Sequence, residues 1–164
     1  MDIAFKRAAE IYQAVKSVLK RYYENDGHEH VIRTMTPRGK SKPPLFVITT
    51  FHSKSKPTSA SVNLFEDYPG QFFVQISVYR GHSISCRSNR CVKIDLMFDL
   101  QECYYNIINQ EQSVVWIGID HGEQRRGEVE KLIDDLKRVA TKYTDLSCCY
   151  SERKVLTNGS ENSD

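Results

Sequence analysis

The segment Gln71-Phe72-Phe73-Val74-Gln75-Ile76-Ser77-Val78-Tyr79-Arg80 alternates without interruption. Phe72, Val74, Ile76 and Val78 form one apolar face, and Phe73, Gln75, Ser77 and Tyr79 form a mixed one. Strict alternation over this length is the pattern of a half-buried strand. An alternating strand with one greasy and one mixed face belongs to an antiparallel sheet with one side on a core.

Working upstream, Asp67-Tyr68-Pro69-Gly70 reads as a turn, since Pro and Gly suit a type II bend. Residues 61–65 read as a short, weak strand. Residues 53–59 read as a polar loop carrying Lys54 and Lys56. Residues 45–52 read as a good strand, with Leu45, Val47, Thr49 and Phe51 facing one way and Phe46, Ile48, Thr50 and His52 the other. Arg38-Gly39-Lys40-Ser41-Lys42-Pro43-Pro44 is punctuated by Gly and Pro and reads as an exposed basic loop. Residues 29–36 read as a first strand, ended by Pro37 because proline lacks the ladder N–H.

Downstream, Gly81-His82 starts a turn or bulge, 83–87 reads as a short strand, and Ser88-Asn89 as a tight turn. Residues 91–98 form another strand, with Val92, Ile94, Leu96 and Phe98 inward and Lys93 and Asp95 outward. Residues 100–109 are ambiguous between strand and helix. Residues 114–119, nearly all apolar, read as a central strand.

Two amphipathic segments flank this β-rich region. In residues 3–24, Ala4, Ala8, Ile11, Val15, Val18 and Tyr22 follow helical spacing, with Phe5, Tyr12 and Leu19 widening the stripe. Asp2 suits its N-cap, and Asn25-Asp26-Gly27 suits its stop. The stripe fits packing on the sheet, and its heptad-like spacing also fits a coiled-coil seam between two chains. Asp120-His121-Gly122-Glu123 fits a capping box, opening a helix that runs to about Tyr143 with Val129, Leu132, Ile133, Leu136, Val139, Ala140 and Tyr143 inward. The expected architecture is α+β: an antiparallel sheet of five to six strands with an N-terminal and a C-terminal helix on one face. No βαβ alternation supports a Rossmann-like nucleotide fold.

The chain has 164 residues, the size of one ordinary domain. A single domain is expected over 1–150, with 151–164 a disordered polar tail. No run approaches the roughly 18 apolar residues of a membrane span, and lysines and arginines interrupt the first helix where a signal peptide would be apolar. Five cysteines without a secretory signal imply reduced thiols and a cytoplasmic or nuclear setting.

The net charge of +2 conceals strong polarisation. Residues 30–94 hold ten basic and two acidic residues. Residues 1–29 balance at five each, and 95–164 hold eight basic against fourteen acidic. A concentrated basic block is the electrostatic footprint of phosphate binding, where affinity comes largely from counterion release. Single strands also need aromatic rings for base stacking, each worth ~1–3 kcal/mol. The candidate phosphate contacts are Arg38, Lys40, Lys42, Lys54, Lys56, Arg80, Arg87 and Arg90, and the candidate stacking rings are Phe73 and Tyr79. A sheet face with aromatics favours RNA or single strands over duplex DNA.

Catalytic and metal motifs are weak. His28-x-His30 and Cys86-x4-Cys91 near His82 lack the paired tight spacing of zinc sites, so no metal or cofactor is expected. His52-Ser53 and His82-Ser83 are not the His-x-Ser/Thr of two-histidine phosphoesterases, since Lys54 and Ile84 stand at the required positions. Gly39-Lys40-Ser41 lacks the first glycine of a phosphate loop, where Thr34 stands. The expected function is non-catalytic nucleic-acid binding. The competing expectation is a dimeric adaptor or small regulatory subunit whose basic block meets an acidic protein partner. Nine tyrosines and the heptad-like first helix suit such a homodimer.

Overall fold

The computed structural model describes residues 3–24, 27–33, 45–68, 70–81, 90–98 and 103–147. Their order is α1 (Ile3–Tyr22), β1 (Gly27–Arg33), β2 (Leu45–His52), β3 (Thr58–Tyr68), β4 (Gln71–Arg80), β5 (Arg90–Phe98), β6 (Cys103–Ile108), α2 (Gln110–His121) and α3 (Glu123–Ser147). The six strands form one antiparallel meander in the order β1-β2-β3-β4-β5-β6. The expected α+β class, with long helices at both ends of the chain, is what the structure has.

One face of the sheet carries the core. Ala60, Val62 and Leu64 of β3, Phe72, Val74, Ile76 and Val78 of β4, and Val92, Ile94, Leu96 and Phe98 of β5 are buried in one cluster with both long helices. From α1 come Ala4, Ala8, Ile11, Tyr12, Val15 and Leu19, and from α3 Val129, Leu132, Ile133, Leu136 and Ala140. The α1 stripe is centred about one position from the expected one: Leu19 and Tyr23 are fully buried, while Val18 and Tyr22 lie at its border. Because these side chains fill the chain's own core, they do not form an external seam.

Two buried hydrogen bonds fix α1 on the sheet. The hydroxyls of Tyr12 and Thr49 lie 2.7 Å apart, as do those of Tyr23 and Thr58. Buried hydroxyls that found no partner would each cost about 1–3 kcal/mol, so the pairs set register as well as stability. Glu24 (φ 59), not Gly27, takes the positive φ after the helix. Gly27 is already in β1, opposite Phe51.

β3 is not short. It runs eleven residues and pairs with β4 nearly throughout, with Gly70 (φ 82) directly before β4. Its serines and alanine lower β propensity, but they are small enough to pack beneath their neighbours, and packing decides. The ambiguous stretch 100–109 resolves in part as β6, the edge strand.

The expected central strand at 114–119 is a helix. Val114 and Ile117, three residues apart, are buried, while Val115, Trp116 and Ile119 are exposed. An apolar run alone does not separate the two periods. Here the chain folds back over the core face after β6, and α2 packs against β5 and α3. The expected capping box is absent for the same reason. Asp120 and His121 end α2, and Gly122 (φ 93) joins the helices, its N–H donating to the Gly118 carbonyl at 2.9 Å. Asp120 instead pairs with Arg80 at 3.5 Å.

The loop expected at 53–59 closes by residue 58. The Lys56 N–H donates to the Ser53 carbonyl, and the Gly81 N–H to the Pro57 carbonyl. Glu24 accepts from the hydroxyls of Ser55 (2.9 Å) and Ser53 (3.2 Å), which hold its carboxyl below its ordinary pKa. A guanidinium nitrogen of Arg125 donates to the Ser55 carbonyl at 2.8 Å, so the loop is tied to α1 and α3 together.

Arg38, Lys40 and Lys42, the Pro37 stop, the strand at 83–87 with Arg87, the turn at 88–89, and the tail 151–164 lie outside the described residues. Among the described residues, no helix is long and apolar enough to cross a membrane.

Candidate nucleic-acid interface

The helices occupy one side of the sheet, which leaves its second side to the alternate residues of each strand. Register aligns them in rows. Phe65, Phe73 and Met97 are consecutive partners across β3, β4 and β5. The next row is Asn63, Gln75, Asp95 and Asn106, the last from β6. Ser61, Ser77 and Lys93 follow, then Ser59, Tyr79 and Arg90. An aromatic row therefore lies beside an amide and carboxylate row, and the serines between that row and Tyr79 are buried.

The rings of Phe65 and Phe73 are nearly parallel, 14° apart, with centroids separated by 5.4 Å. Both are half-buried, so part of each ring faces outward. Lys93 Nζ and Asp95 Oδ2 are 3.5 Å apart. Four buried polar atoms on these strands have no hydrogen-bond partner: Ser59 Oγ, Asn63 Oδ1, Asp95 Oδ1 and Arg90 Nε. Native structures leave few such groups, and all four lie on or beside the helix-free face.

The expected site residues divide between the two sides. Phe73, Tyr79 and Arg90 share the helix-free face. Tyr79 is only 7% exposed, and the Arg90 guanidinium lies over its ring at 5.7 Å, so it is a packed ring and not an open stacking platform. Arg80 follows the parity of Val78 and belongs to the helix side, with its guanidinium 5.8 Å from the Trp116 ring centre. Lys56 caps the Tyr22 ring at 4.5 Å, also toward the helices. Lys54 is exposed on the β2–β3 loop.

Phe65, Asn63 and Asp95 were not among the expected site residues. The signal for Phe65 was its parity with Ser59, Ser61 and Asn63, legible once β3 is taken at full length. The tyrosines do not form an outer surface as a group, since Tyr12, Tyr23 and Tyr79 are buried.

Cys91 is fully buried in β5, and burial pushes its thiol up to about 12. A nucleophilic or metal-binding cysteine needs the thiolate, so Cys91 serves as a small hydrophobe. Among the described residues, no three His, Cys, Asp or Glu side chains gather to hold a metal. The chain matches no family model, and no curated protein or solved structure matches it.

Proposed function

We propose that the chain is a non-catalytic nucleic-acid-binding protein that takes RNA or single strands on the helix-free face of its sheet. The observation that carries this reading is the half-buried Phe65–Phe73 pair in register with a row of hydrogen-bonding side chains. Bases stack on such rings, and neighbouring amides and carboxylates reach their edges. A groove-reading helix plays no part.

Charge supports the same reading. The ends of β1 and β2 that flank residues 34–44 lie at the Phe65–Phe73 end of the sheet, and the ends of β4 and β5 that flank residues 82–89 lie at the opposite end. Arg38, Lys40 and Lys42 belong to the first connection and Arg87 to the second, with Arg90 and Lys54 at the second end. A strand laid along β4 would meet the charges of Arg90 and Lys54 at the second end.

Titration against labelled single-stranded and duplex RNA and DNA at two salt concentrations tests the proposal. Micromolar binding that favours single strands and falls steeply with salt is expected. Phe73→Ala should weaken it by about 1–3 kcal/mol. Replacing Lys40, Lys42, Lys54 and Arg87 together with Ala should flatten the salt slope. Failure of every strand to bind at low salt would overturn the proposal.

A second reading, a protein-interaction subunit, is favoured by α2. Val115 is 44%, Trp116 51% and Ile119 68% exposed. Exposed aromatic and aliphatic side chains of this kind suit a partner contact. Capture of a defined protein that is lost in Trp116→Ala would support it.

A further inference from the structure

Building on the single-strand reading, we infer that Asp95 and Lys93 make this face selective for guanine. The two residues stand side by side on β5, with Nζ and Oδ2 3.5 Å apart. That separation is longer than a good charge-assisted hydrogen bond, so both groups keep bonding capacity. Asp95 Oδ1 has no hydrogen-bond partner and is itself buried, so it meets a base only by turning outward. About a quarter of each side chain remains accessible.

A carboxylate only accepts, and an ammonium only donates. Together they present acceptor, acceptor and donor in sequence. The pairing edge of guanine presents the complement: the N2 amino group and N1–H donate, and O6 accepts. Uracil offers acceptor, donor, acceptor. Adenine and cytosine each place a single donor beside acceptors. Only guanine gives both carboxylate oxygens a donor while its O6 takes one from Lys93.

The surroundings fit a base in that position. Asp95 faces Gln75, and Phe73 faces Met97, which makes Asp95 and Phe73 diagonal neighbours about 7–8 Å apart. A base stacked on the Phe73 ring extends its pairing edge over that distance. The terminal torsion of an aspartate is soft, so Oδ1 turns toward an incoming donor at little cost. Lys93 also offsets the negative charge that would otherwise repel a phosphate chain.

The test uses uridine single strands of about ten nucleotides carrying a central guanosine pair, the same strands with inosine there, and all-uridine strands. Inosine keeps N1–H and O6 but lacks the N2 amino group. The guanosine strand should bind roughly five- to hundredfold tighter than the uridine strand, with inosine between them. The isosteric Asp95→Asn should bind all three alike. Equal binding of all three by the unaltered protein would overturn guanine selectivity and leave the single-strand reading standing. Guanine preference surviving in Asp95→Asn would remove the role from Asp95. No binding of any strand, duplexes included, at low salt would overturn both proposals. The inosine comparison needs no variant, so it stands even if Asp95→Asn fails to fold.

Discussion

The hydroxyls of Tyr23 and Thr58 meet at 2.7 Å where α1 ends and β3 begins, and both side chains are fully buried. Burial keeps the Tyr23 phenol protonated, with its pKa well above the ordinary 10.0, while the Thr58 contact pulls the other way. Tyr23→Phe strands the Thr58 hydroxyl, and Thr58→Val strands the phenol. Each should cost about 1–3 kcal/mol in urea unfolding. The double variant should cost less than the two singles added, since no unpaired group is left behind. Strict additivity would mean that the hydroxyls do not interact.

Two glycines five residues apart, one just before α3 and one inside it, should respond in opposite directions. Gly122 has φ 93, so Gly122→Ala is strained whatever the space and should destabilise by about 1–2 kcal/mol. Gly127 lies inside α3, and an added Cβ meets nothing within 4 Å. Gly127→Ala should stabilise by up to about 1 kcal/mol. Thermal unfolding of the two variants checks the signs.

Alkaline pH should unfold the protein through its buried acids. Cys91 is raised from 9.0 to about 12 and Tyr22 from 10.0 to about 12, chiefly because burial disfavours their anions. Above pH 9 the unfolded chain loses these protons while the folded chain keeps them. The unfolded state then binds fewer protons, so stability falls as pH rises from about 9 to 12, and is unaffected by these groups below that window. Cys91→Ala should remove its part of the fall. Cys91 should also resist iodoacetamide at pH 8 until denaturant is added, as read by mass spectrometry.

Trp116 is the chain's single tryptophan. Half-exposed beside Arg80, it should emit as a solvated indole and be readily quenched by acrylamide in the native protein. Trp116→Ala removes an exposed cation–π contact worth about 0.5–1 kcal/mol and should leave the fold intact. A blue-shifted, shielded emission would show that this face of α2 is covered.

The candidate interface was half legible in the sequence. Phe73 could be assigned to its face because strand β4 alternates without a break. Asp95 could likewise be placed outward on β5. What could not be read was the row that joins them to Asn63 and Phe65, because cross-strand neighbours depend on register, and register is set by the whole hairpin. The charge block was legible as composition, yet the distribution of Arg80 and Lys56 to the helix side was not. Their partners, Asp120 and Tyr22, lie far away in sequence.

The sequence by itself determined the α+β class, the apolar faces of β4 and β5, and the inward stripe of α3, because side-chain periodicity follows from local backbone geometry alone. Tertiary structure decided the rest. Residues 114–119 carry the same apolar run in either conformation, and only packing over β5 and α3 selected the helix. Thr58, Ser59 and Ala60 belong to a strand because β4 lies beside them, since a ladder is a property of two chains of residues and not of one.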